Sequence, residues 1–136
     1  MAENRKDVRF VNPPELAPPP GYTQVVEATG GRTIYVAGQI ALDHSGEVVG
    51  RGDMDAQTRR VFENLRIALE AVGAGFDDVV KLNYYLVDIS RIGVVREVRD
   101  EYVNIRRPPA STAVEVRQLF RDELLIEIEA VAVVPA

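Results

Sequence analysis

At 136 residues and 15.0 kDa the chain is long enough for one compact domain and too short for two ordinary ones. Its 46% hydrophobic and 27% charged residues fit a soluble globular protein, with no run apolar and long enough to span a membrane. The absence of cysteine removes disulfides, thiolate nucleophiles and cysteine-based zinc sites, the single histidine disfavours a histidine triad, and a net charge of -5 disfavours nonspecific nucleic-acid binding.

Residues 1–20 carry five of the eight prolines and little periodicity, which predicts an extended arm lying on the surface or partly disordered. Charges and prolines interrupt this stretch where a secretory signal needs an apolar run, so a cytoplasmic location is the expectation. One domain over residues 21–136 is expected to follow. Its first element reads as a hairpin, YTQVVEA and RTIYVAGQI, joined by Gly30 and Gly31. DHSGEVVGRGD then offers a short third strand, EVV, beyond a turn that contains His44.

The next segment predicts a helix. Asp55 is a candidate cap, Val61, Leu65, Ala68, Leu69 and Val72 form one stripe, and Gly73 stops it. Gln57 and Asn64 share a helical face, where hydrogen bonds to a neighbouring loop are the simplest reading. In VVKLNYYLVD, alternation places Val80, Leu82, Tyr84 and Leu86 on one face of a strand and Lys81, Asn83 and Tyr85 on the other. Asp88 is expected to cap a second helix that turns Val95, Val98 and Tyr102 inward and ends before Arg106, Arg107 and two prolines. Two strands complete the chain, STAVEV and LLIEIEAVAVV. The order is βββαβαββ, an α+β arrangement with two helices on one face of a mixed sheet.

The last strand is apolar on both faces. Ile126, Ile128, Ala130 and Ala132 point one way, and Leu125, Val131 and Val133 the other. Two helices cover only one face, so the second calls for a partner and a closed, symmetric oligomer. Glu127 and Glu129 lie on that second face, about 6.5 to 7 Å apart along the strand. A carboxylate among apolar neighbours must be paired, hydrogen-bonded or protonated. Two readings follow: both carboxylates point to solvent or pair with arginines in an interface, or one has a raised pKa suited to proton transfer or to positioning water.

Several segments together resemble the reactive-intermediate deaminase family, the Rid or YjgF-type proteins. They are GY at Gly21 and Tyr22, IYVAGQIALD, QTRRVFENLRIALEAVGAGFDDVVKL, YYLVDI, PAST before VEV, and IEIEAVAV, in order from about Tyr22 to Val134. The resemblance implies a chorismate-mutase-like fold, a homotrimer with ligand sites between subunits, and hydrolysis of enamines or imines to a keto acid and ammonia. It implies no cofactor and no metal.

By the same resemblance Tyr22 closes over the ligand, Glu127 positions or activates water, and Gly38 allows close backbone approach. The family's carboxylate-binding arginine, in a PARS-like motif, is replaced by Ser111. Its second-helix asparagine is replaced by Arg96, which suggests a guanidinium relocated to another wall of the cleft. Arg96, Ser111 and Thr112 are then expected to hold the polar end of a small, carboxylate-bearing ligand. Arg96 paired with Glu127 is the competing arrangement. A metabolite-binding trimer without chemistry and an endoribonuclease are the competing functions; the acidic composition and single histidine speak against the latter.

Overall fold

The computed structural model describes residues 6–136. Six strands and two helices follow one another as β1 (Lys6–Val11), β2 (Val25–Gly30), β3 (Arg32–Gln39), α1 (Met54–Glu70), β4 (Val79–Leu86), α2 (Ile92–Arg99), β5 (Ala110–Glu115) and β6 (Ile126–Val134). The element string matches the expected one, but Lys6–Val11 supplies its first strand and EVV supplies none, so the first two expected strands become β2 and β3.

The proline-bearing arm enters the fold. Residues 1–5 of that arm lie outside the described residues, whereas Lys6–Val11 pairs antiparallel with β2, from Lys6 opposite Gly30 to Val11 opposite Val25. The folded part therefore begins well before Tyr22. Its alternation is short and unaccompanied by a turn signal, because the partner strand lies beyond the proline segment. The expected β2–β3 hairpin is also corrected. Gly30 and Gly31, both at positive φ, pass the chain from the two-stranded sheet to the main one, where β3 pairs with β6. EVV makes only an isolated bridge, Leu42 with Val48.

The main sheet has the order β3-β6-β4-β5 and is mixed, with β4 and β5 parallel and the other neighbours antiparallel. On one face, Leu82, Tyr84 and Leu86 of β4 and Ile126, Ile128, Ala130 and Ala132 of β6 are buried beneath α1 and α2. Each large side chain fully buried there contributes about 1.5–3 kcal/mol. From α1 come Met54, Val61, Phe62, Leu65 and Leu69, and from α2 come Val95 and Val98. Val72 of the expected stripe is 42% exposed, because the helix has already ended at Glu70. Tyr102 stacks on Phe62 with ring centroids 5.1 Å apart.

Caps are displaced by short distances from their expected positions. Asp53, in extended conformation, accepts from the Ala56 amide at 3.0 Å and caps α1, while Asp55 inside the first turn pairs with Arg59. Asp88 caps a 3-10 turn over Ile89–Arg91 that leads into α2. Gln57, fully buried, donates to the carbonyls of Gly50 and Glu123 and accepts from the Leu125 amide at 2.8 Å. It thereby fixes the entry of β6. Asn64 donates to the carbonyls of Ile40 and Leu42, the loop contact its spacing predicts.

The second face of the sheet carries Lys81, Asn83, Tyr85, Glu127, Glu129 and Val131, with Tyr35 80% exposed on β3. No helix of the described residues is long and apolar enough to cross a membrane.

Candidate active site

The six residues expected to form the site divide between two regions. Tyr22, Arg96 and Ser111 line one pocket of about 220 Å3, together with Tyr84, Ile92, Arg99 and Ala113. Ser111 stands beside Leu82 and Ala113 beside Tyr84, so both look toward the helix side of the β4–β5 pair. Arg96 reaches the pocket from α2 with its side chain exposed, and among the described residues it forms no ion pair. The expected alternative, an Arg96–Glu127 pair, is absent within the chain, because α2 lies across the sheet from the glutamates.

Tyr22 owes its position to the residues on either side. Thr23 is buried and donates its hydroxyl to the Pro108 carbonyl at 2.5 Å and its amide to Pro109. This clip ties the Tyr22 segment to the RRPP loop that leads into Ser111. The prolines have no amide to give, so their free carbonyls serve as acceptors. The arginines of that loop stay out of the pocket: Arg107 lies over the Phe10 ring at 4.5 Å, and Arg106 is exposed.

Thr112 belongs elsewhere. Strand alternation turns it to the opposite face, where its hydroxyl accepts from Lys81 at 3.0 Å. Its expected place beside Arg96 and Ser111 is thus corrected: adjacent residues of a strand cannot face the same ligand.

Glu127 and Gly38 meet on that opposite side. A Cβ built on Gly38 would lie 1.9 Å from the Glu127 Oε2, so only glycine leaves room for the carboxyl group. Partial burial, and then the nearby Glu129 charge, push the Glu127 pKa above the usual carboxylate range. Its neighbour behaves differently. Glu129 accepts from the Tyr85 hydroxyl at 2.6 Å and from Asn83 at 3.1 Å, which fixes the orientation of its carboxyl group. The two glutamates are therefore unequal: one is held by donors, and the other, without a hydrogen-bond partner among the described residues, carries a destabilised charge.

Two polar residues of the pocket were not expected there. Arg99 was not among the residues expected to turn inward on α2, yet it is 7% exposed and its guanidinium packs against Gly21. Tyr84 was read as core, and its hydroxyl is buried with no hydrogen-bond partner. The periodicity of α2 hinted at the first, since Val95 and Arg99 are four apart and share a face.

Comparison with known proteins decides the family. The model for the family described as Endoribonuclease L-PSP, to which the YjgF and Rid proteins belong, matches residues 14–134. The chain belongs to this family. A RutC family protein of Pyrococcus abyssi is 45% identical over 130 residues, covering 93% of this chain and 96% of the relative. A mouse protein named 2-iminobutanoate/2-iminopropanoate deaminase is 36% identical over 112 residues, covering 82% of this chain and 80% of its own. Among solved structures, a Rid-family protein of unknown function from Yersinia pestis superposes with a TM-score of 0.85 at 36% identity, covering 93% of this chain and 98% of that one.

Proposed function

We propose that this Rid-family protein is a hydrolytic deaminase of a small imine or enamine acid, with each site completed between neighbouring copies of a homotrimer. The observation that carries this reading is the division of the site. Tyr22, Arg96 and Ser111 bound a polar pocket on the helix side of the sheet, while Glu127 and Gly38 lie on the other side. A single chain does not present both to one ligand. A neighbouring copy packed on the open sheet face brings its own half to the other's, and also covers Tyr35 and Val131.

In the assembled cleft, the substrate carboxylate lies against Arg96, with Ser111 donating its hydroxyl and Tyr22 over the ligand. Glu127 as carboxylate accepts a proton from water as the water oxygen bonds to the carbon of the protonated imine, whose C=N electron pair moves onto nitrogen. The resulting carbinolamine loses its C–N bond as the nitrogen takes up a proton, the hydroxyl gives up its own, and a keto acid and ammonia result. An enamine first takes a proton on carbon to become the protonated imine, and the protonated Glu127, whose pKa is raised by burial, is suited to supply it. This chemistry asks for no metal or organic cofactor.

Support for the reaction class comes from the mouse relative, a named iminobutanoate and iminopropanoate deaminase. The shift of the guanidinium from the position of Ser111 to Arg96 moves the carboxylate, and a displacement of about 1 Å can cost on the order of a hundredfold in rate. Iminopropanoate is therefore a poor substrate here. The test is ammonia and keto-acid release from freshly generated imino acids by wild type, Glu127→Gln and Arg96→Ala. Turnover on at least one imine, lost in both variants, supports the proposal; no turnover on any imine overturns it in favour of a binding protein.

A further inference from the structure

The pocket beside Ser111 contains more positive charge than one carboxylate needs. Seven residues line it, two of them arginines, and none of the seven is acidic. Arg99 is the deeper of the two. Asp100 holds its Nε at 3.0 Å and its Nη2 at 2.9 Å through a single carboxylate oxygen, Oδ1. Asp100 itself is half exposed, so this partner sits at the solvent side of the guanidinium. Among the described residues, Nη1 makes no hydrogen bond.

A second, independent observation concerns Tyr84. It is 4% exposed and lines the same pocket, and its hydroxyl is the one buried side-chain polar atom without a partner among the described residues. A buried hydroxyl left unpaired costs on the order of 1–3 kcal/mol, so such a group marks a place where an acceptor belongs. Burial raises the phenol well above its ordinary pKa, which keeps the proton on the oxygen. Arg96, Arg99, Tyr84 and Ser111 thus line one small space as donors, where the Tyr84 hydroxyl and Nη1 of Arg99 have no acceptor among the described residues.

We infer that the pocket binds a compact dianion, with Arg96 and Ser111 taking one anionic group and Arg99 and Tyr84 the second. This deepens the deaminase reading and rests on it for the identity of the reacting end: the substrate is an imine that bears a second acidic group, either a further carboxylate or a phosphate. Arg99 and Tyr84 are then specificity-determining residues, because a substrate with one charge leaves the Tyr84 hydroxyl and Nη1 of Arg99 without an acceptor. Gly21 serves the same purpose, since its Cβ would lie 2.2 Å from Nη2 of Arg99 and displace the guanidinium.

The test is calorimetric titration of the full-length protein with malonate, inorganic phosphate and propanoate, alongside Tyr84→Phe and Arg99→Gln. Malonate or phosphate should bind at least tenfold more tightly than propanoate, and whichever binds better identifies the second acidic group. Tyr84→Phe, which keeps the ring and the core packing, should weaken the favoured dianion about fivefold to tenfold and propanoate less than twofold. Arg99→Gln should abolish the preference. Equal affinity for propanoate and both dianions, no binding of any of the three, or a dianion preference unaltered in Tyr84→Phe overturns the inference. These outcomes are read without turnover: an active deaminase lacking the preference refutes the second-charge assignment alone, and the preference in a protein that releases no ammonia refutes the reaction alone.

Discussion

Gly38 and Glu127 are fitted to each other so closely that a methyl group on Gly38 would occupy the space of the carboxyl oxygen. The contact joins the end of β3 to β6 and fixes where a water-activating group can stand. Gly38 does not need a positive φ, so its backbone accepts alanine. Gly38→Ala should therefore fold with a midpoint of unfolding within a few degrees of wild type, while kcat falls about tenfold to a hundredfold as the carboxyl is displaced. Thermal unfolding and steady-state kinetics on the same preparation check both halves.

The unequal glutamates predict a pH signature. Glu127 must be ionised to accept a proton from water, so activity should fall as pH drops through its raised pKa. Part of that elevation comes from the charge of Glu129. Glu129→Gln removes the charge, and the acid limb of the kcat profile should move to lower pH; an unmoved limb would show that another group controls it.

Stability should respond with the opposite sign. A carboxyl whose folded pKa lies above its unfolded value binds its proton more tightly in the folded state. Its contribution is fully present below the unfolded pKa and lost as pH rises through the folded one. Glu127→Gln should therefore unfold at a higher temperature than wild type at pH 8, and the gap should close toward pH 4. Melting curves at the two pH values measure it.

Gln57 ties three backbone groups into the turn before β6. Gln57→Leu leaves those groups unpaired in a buried position and should cost about 2–4 kcal/mol in a denaturant titration. Arg96→Ala, which removes an exposed and unpaired side chain, should change stability by less than about 0.5 kcal/mol.

Period and punctuation made much of this fold readable before any coordinates. The alternation of Leu82, Tyr84 and Leu86, and of Ile126 through Ala132, named the buried face correctly, and Gln57 and Asn64 proved to be loop anchors. The pairing of Lys6–Val11 with β2 was hidden, because a partner found across a proline-rich connection leaves no mark in either strand. Family likeness placed Tyr22, Ser111 and Arg96 at one pocket. It joined Thr112 to them wrongly, since a motif is linear and a strand is two-sided. Arg99 escaped notice because a charged residue is ordinarily placed on the solvent side of a helix, whereas here Gly21 makes room for it inside.

The central claim, a site completed by two copies, is tested most directly by mixing two separately inactive variants. Arg96→Ala retains an intact Glu127 half, and Glu127→Gln retains an intact pocket half. After co-refolding in equal amounts, each mixed trimer holds one site built from two intact halves, so the mixture should recover about a quarter of wild-type deaminase activity. Verified mixed trimers that stay as inactive as their parents would contradict the account.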